Sequence, residues 1–144
     1  MNSREIAKYK LTPASDLWCM DSGSEEVVTN NEKKLRSIRP INKAMQCANT
    51  SDIDIQGVGP CELNFSGVSM TFKGYFSPSL MGNFLSVAKI CDLDYDVFFT
   101  KLNCYILKSD QVIVVGMRPN GTYNVKAVSL SFINSLTTNT PEKA

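Results

Sequence analysis

The sequence predicts a mainly β domain with one short helix, and three observations carry that prediction. Short apolar or alternating runs recur along the chain, turn-forming residues fill the gaps between them, and a single stretch switches to helical spacing. A chain of 144 residues is long enough for one hydrophobic core and too short for two independent ones.

Taken in order, the runs occupy residues 17–20, 41–47, 53–58, 61–65, 68–76, 96–99, 104–107, 112–117 and 122–128. The punctuation between them has a physical reading. Ser66-Gly67 and Ser109-Asp110 divide alternating runs, and Pro119-Asn120-Gly121 contains an Asn-Gly pair suited to a tight hairpin with positive φ. Residues 86–91 differ: Ser86 can cap, no Gly or Pro follows, and Val87, Ile90 and Cys91 fall on one side of a helical turn, which predicts about two turns of helix. Tyr75, Phe76, Phe84, Phe98 and Phe99 are expected in the core, and the basic cluster from Lys33 to Arg39 on a solvated face. Residues 1–14 and 137–144 are polar and read as flexible ends, leaving 15–136 as the folded domain.

Composition narrows the function. Fifteen basic against fourteen acidic residues give no broad field to hold nucleic acid or an anionic membrane, so neither is expected as a main partner. There is no histidine, which removes Ser-His-Asp and Cys-His hydrolase arrangements and histidine-bearing zinc sites. Chemistry must then rest on carboxylates, lysine, tyrosine or thiols. Five cysteines, an odd number with no C-x-x-C pair, predict separate buried thiols in a reducing compartment. No apolar run approaches the roughly 20 residues of a membrane span, and the polar start lacks a signal-peptide apolar region, so a soluble cytoplasmic location is expected.

One turn stands out as a place for chemistry. The apolar run Trp18-Cys19-Met20 leads directly into Asp21-Ser22-Gly23-Ser24, with Val27-Val28 beyond, so that Asp21 would sit at the tip of a strand-turn-strand unit with buried flanks. Gly23 would allow a tight turn, and the hydroxyls of Ser22 and Ser24 could lock the loop.

From Leu17 to Lys126 the chain resembles the protease segment of copia-type LTR retrotransposon polyproteins. Trp18-Cys19-Met20-Asp21-Ser22-Gly23-Ser24 is similar to that family's W-x-x-D-S-G-[AS], and Ile55-Gln56-Gly57-Val58-Gly59 to its I-x-G-x-G strand. Gly82-Asn83-Phe84-Leu85-Ser86-Val87-Ala88-Lys89-Ile90-Cys91 is close to its N-L-L-S-V-x-x-L-C. Further pieces at 74–80, 95–100, 104–106 and 116–123 follow in family order.

The resemblance implies a retropepsin-like acid-protease fold, a small closed antiparallel β barrel acting as a homodimer on an extended peptide or polyprotein. Asp21 would be catalytic, one copy from each chain. Ser22, Gly23, Ser24, Phe84, Leu85 and Ser86 would support the active-site loop. Cys47, Ala48, Asn49, Thr50 and Ser51 would form the tip of a flap over substrate, and Glu25 and Glu26, which depart from the Ser/Thr and His common in the family, would touch the substrate backbone. No metal or cofactor is implied, and the setting would be the cytoplasm or virus-like particles. The alternative is an inactive, domesticated domain that keeps the fold as a dimerisation or peptide-binding module.

Overall fold

The computed structural model describes residues 14–46 and 52–130. The expected flap tip, Cys47 to Ser51, lies outside the described residues, as do the expected flexible ends apart from Ala14. After a 3-10 turn (Ala14–Asp16), the strands are β1 (Leu17–Asp21), β2 (Val27–Thr29), β3 (Arg39–Met45), β4 (Ile53–Phe65), β5 (Val68–Phe76) and β6 (Asn83–Ser86). The helix α1 (Val87–Asp92) follows. Then come β7 (Asp96–Phe99), β8 (Asn103–Lys108), β9 (Gln111–Met117), β10 (Asn124–Lys126) and β11 (Val128–Ser129).

These strands form one sheet in the order β11, β4, β5, β2, β6, β1, β10, β9, β8, β7, with β3 on the same edge of β4 as β11. The closed antiparallel barrel expected from the resemblance is corrected on two points. The terminal strands β11 and β7 do not pair, so the sheet is open. Two pairs, β1 with β6 and β2 with β5, run parallel. The first parallel pair follows from the threading. The turn after Asp21 reverses the chain, β6 inserts between β1 and β2, and it must therefore run parallel to one and antiparallel to the other.

The period-2 pattern of β1 sets the two faces. Trp18 and Met20 point into the main core with Val27, Leu63, Phe65, Phe72, Leu85, Ile90, Ile106 and Val125, whereas Cys19 and Asp21 point the other way and stay half-exposed. The runs expected separately at 53–58 and 61–65 form one strand, since β4 continues from Ile53 through Pro60 to Phe65. The Pro60 carbonyl accepts the Arg36 N–H at 2.8 Å, so the side of Pro60 that lacks a donor faces away from β5, in the gap between β3 and β11.

The turns bear out most of the punctuation. Ser66 and Gly67 have φ of 55° and 105°, and Ser109 and Asp110 have 50° and 65°, the left-handed pairs that two-residue hairpins require. Between β9 and β10 the expected tight Asn-Gly hairpin is replaced by a wider loop in which only Gly121 has positive φ. Two bonds hold it open: Arg118 N–H donates to the Leu102 carbonyl, and the Tyr123 carbonyl accepts from Met20 N–H. The helix begins as predicted, with Ser86 Oγ accepting the Lys89 N–H at 3.2 Å.

Three burial expectations are corrected. Phe98 and Phe99 are exposed, at 61% and 37%, on β7, the end strand of the sheet among the described residues. Lys34 and Leu35 are buried, since the 3-10 turn Glu32–Lys34 folds against β4. Burial lowers the Lys34 pKa from its ordinary value, with Asp16 and Cys61 opposing. Cys19, Cys61, Cys91 and Cys104 are free thiols, but Cys91 is exposed.

Candidate active site

Asp21 is the last residue of β1 and lies opposite Ser86, the last residue of β6. Its Oδ1 accepts the Gly23 N–H at 2.9 Å, and its carbonyl accepts the Ser24 N–H at 3.4 Å. Glycine serves this turn differently from the sequence expectation. Gly67 and Gly121 are the described glycines with positive φ, so Gly23 contributes its N–H rather than a left-handed backbone.

The loop beyond the triplet is fixed from two sides. Ser24 Oγ donates to the Glu26 carbonyl at 2.7 Å. The Ser24 carbonyl in turn accepts the buried Ser86 hydroxyl at 2.7 Å. The parallel register brings Phe84 opposite Cys19 and Leu85 opposite Met20, so the segment 84–86 lies directly beside the strand that carries Asp21. Leu85 is fully buried in the core, while Phe84 faces the same side as Cys19. Ser22 and Glu25 are exposed. Glu26 Oε1 lies 3.9 Å from Lys89 Nζ on α1, so of the two acids Glu25 is the one left open to solvent.

Sequence reasoning overlooked Asn83. Its Nδ2 donates to the carbonyls of Ser15 and Leu17, and its Oδ1 accepts the Thr29 hydroxyl at 2.6 Å. This one buried amide ties the start of β1 to β6 and β2. The signal was present as a polar residue inside an otherwise apolar stretch, because a buried amide survives only when its bonds are made.

The face that carries Asp21 has its own smaller apolar cluster. Cys19, Phe84, Val28, Tyr75 and Val58 are successive cross-strand partners on β1, β6, β2, β5 and β4. Val28, Val58, Tyr75 and Ile55 are buried there, with Ile41, Met45, Ile53, Leu80 and Phe84 packed against them. The stems of the β3–β4 hairpin thus fold over the sheet on the Asp21 side. Burial, and then the Asp21 carboxylate, push the Cys19 thiol above its ordinary value. Among the described residues, no group of three or more His, Cys, Asp or Glu stands ready to hold a metal ion, and no helix is long and apolar enough to cross a membrane.

Residues 18–95 match the family described as the Pol polyprotein, beta-barrel domain, which is more than half of the chain. The chain belongs to this Pol beta-barrel family. No curated protein and no solved structure matches it. The matched span of the Pol beta-barrel domain opens at Trp18 and takes in Asp21, the β3–β4 hairpin, β6 and α1. The β8–β9 hairpin and β10 lie beyond it, although β10 pairs with β1 and completes the sheet around the Asp21 strand.

Proposed function

We infer that this Pol beta-barrel domain is an aspartic endopeptidase of the retropepsin type that cuts the retrotransposon polyprotein containing it. The observation that carries the reading is the pinned Asp21 turn: a carboxylate at a strand end, hydrogen-bonded to Gly23 N–H, on a loop whose next carbonyl is held by Ser86. Such fixed geometry is what a catalytic carboxylate needs.

One carboxylate cannot act as base and acid at once, so the active form would be a homodimer with two Asp21 residues facing each other. Two like charges a few Å apart cannot both ionise cheaply, and the pair would hold one proton between them. The ionised Asp21 takes a proton from a water held between the two. That water attacks the peptide carbonyl while the protonated Asp21 hydrogen-bonds the developing oxyanion, and the proton then passes to the leaving nitrogen. Extended substrate would lie across the paired Asp21 carboxylates, its backbone bonded as an added strand. Glu25, exposed beside the triplet, would be free to meet that backbone.

The deciding experiment incubates the purified domain with a precursor spanning its own polyprotein junctions. The parent should cut it, and Asp21→Asn should not, while retaining the parent's circular dichroism and melting temperature. Equal cleavage by Asp21→Asn would remove the assignment.

A further inference from the structure

The strand register sets two cations on either side of β4. Arg39 of β3 is opposite Val58, and Lys73 of β5 is opposite Pro60. Val58 and Pro60 are two residues apart and share a face, so both cations leave the sheet on that face, their Cα atoms about 10 Å apart across the strands and about 7 Å along them. Between them is a cavity of about 420 Å³ whose lining includes Ser37, Arg39, Gly59, Pro60, Thr71 and Lys73, and no acid. A third cation stands beside it. Lys43 Nζ lies 5.3 Å from the centre of the Tyr75 ring and Lys73 Nζ 5.7 Å from the same centre, so the two ammonium groups are at most the sum of those distances apart. The ion pairs among the described residues are Arg36 with Glu62 and Lys89 with Glu26, which leaves Arg39, Lys43 and Lys73 outside any of them. Glu62 lies on this face opposite Thr71, but its charge is met by Arg36. The adjoining cavity, which shares Thr71 and Lys73, differs: Glu26 and Asp92 join Lys89 in its lining, so its charges balance.

We propose that the cavity between Arg39 and Lys73 binds a phosphate group, free or carried by a small monoester. Like charges gathered around an acid-free cavity favour a ligand with more than one negative charge. The donor set suits a tetrahedral oxyanion: the Arg39 guanidinium offers a planar fork for two oxygens, Lys73 a compact ammonium, and Ser37 and Thr71 hydroxyl donors for the oxygens that remain. A carboxylate, with two oxygens and one charge, leaves part of that set unused. Ser37, Arg39, Thr71 and Lys73 are all exposed, so an anion reaches them without opening the fold. The volume falls in the range of small-molecule sites, which leaves room for more than the phosphate itself. Strands β6, β2 and β5 lie between β1 and β4, so the site is separate from Asp21 and stands whether or not the domain cuts peptide.

The test titrates the full chain with inorganic phosphate at neutral pH, with ionic strength held constant by sodium chloride, and follows amide NMR shifts. The shifts should saturate with a Kd of about 10 mM or tighter, and they should concentrate at Ser37, Gly59, Thr71 and Lys73. Arg39→Gln and Lys73→Gln should each weaken binding about 10-fold, the share of one charge-assisted contact. Lys101→Gln, on the exposed turn after β7, should bind as the parent does. Acetate at the same ionic strength should bind at least about 10-fold more weakly than phosphate. Ribose 5-phosphate separates the two sources: binding as tight as phosphate or tighter assigns the site to a monoester, and loss of binding assigns it to free phosphate. Should either glutamine variant fail to fold, the parent's phosphate and acetate titrations decide. Shifts that do not saturate by about 100 mM phosphate, shifts confined elsewhere, acetate binding equal to phosphate, or an unchanged Kd in both folded variants would overturn the proposal.

Discussion

The Ser86 hydroxyl donates to the Ser24 carbonyl at 2.7 Å while accepting the Lys89 N–H at 3.2 Å. A single buried oxygen thus caps α1 and holds the loop that follows Asp21, linking the helix to the candidate site through one side chain. Because Ser86 is also the parallel partner of Asp21, any loosening of β6 against β1 is felt at the carboxylate.

Replacing that oxygen should cost stability twice. Losing an N-cap costs about 1 kcal/mol, and leaving a buried carbonyl without its donor costs about 1–3 kcal/mol more. Ser86→Ala is therefore expected to lower unfolding free energy by about 2–4 kcal/mol, read from urea midpoints at constant m-value. In the endopeptidase reading, turnover under folded conditions should fall as well, because the Asp21 turn loses its anchor. A Ser86→Ala domain as stable as the parent would show that the bond contributes nothing.

Asn83 offers a sharper test, because it makes three bonds at once. Asn83→Leu removes the acceptor of the Thr29 hydroxyl proton, whose oxygen still accepts the Asn31 N–H, and the donor to the carbonyls of Ser15 and Leu17, and is expected to destabilise by about 3 kcal/mol or more. Thr29→Val removes the hydroxyl side of the pair. Since replacing both partners with apolar groups avoids stranding either one, the double variant should be more stable than the sum of the single costs predicts. Strict additivity in that cycle would mean that the Thr29–Asn83 bond is energetically silent.

Strand content was legible because alternation is a local property: residues 68–76 alternate and form β5 with those bounds. The same locality exposed the Ser66-Gly67 and Ser109-Asp110 turns, and Ser86 as a cap. Partnership was not legible. Nothing local says that β6 threads between β1 and β2, that Pro60 has its missing donor turned toward a gap, or that β7 ends the sheet with Phe98 bare. Those facts depend on which distant strand arrives alongside. At the site, Asp21 was visible as a residue, but its loop's anchor on Ser86 and the Asn83 staple are long-range bonds that an apolar pattern does not register.

Gly116 is placed where the sheet has no room. A Cβ added there would meet the Cys104 sulfur, the Asn124 carbonyl oxygen at 2.5 Å and Val125 Cγ1 at 2.7 Å. The first two belong to strands on either side of β9, and a backbone oxygen cannot swing aside as a long side chain can. Gly116→Ala should therefore cost about 1–3 kcal/mol through overpacking, measured by thermal or urea unfolding. Amide shifts should change mainly at Cys104 and at 124–125. A neutral Gly116→Ala would mean that β8, β9 and β10 separate without penalty.

Alkaline pH should unfold the domain through its buried thiols. Burial pushes Cys61 from its ordinary 9.0 up to about 12, with Lys34 pulling it partly back and Glu62 adding to the rise. Burial likewise raises Cys104 to about 11. The folded state then keeps protons that the unfolded chain releases above pH 9, so the stabilising contribution is complete below about pH 9. It is lost as pH climbs toward 11 for Cys104 and 12 for Cys61. Each thiol can contribute a slope of at most about 1.4 kcal/mol per pH unit. Lys34 works in the opposite sense: burial lowers its pKa, so folding with a neutral amine becomes easier as pH rises toward 10.5, offsetting part of the loss. Urea midpoints measured from pH 7 to 11 should be insensitive to these thiols up to about pH 8.5 and then decline. Cys61→Ala should start from a lower plateau, because a buried group has been removed, and decline less steeply. A parent midpoint that rose between pH 9 and 11 would require Lys34, rather than the two thiols, to govern the alkaline limb.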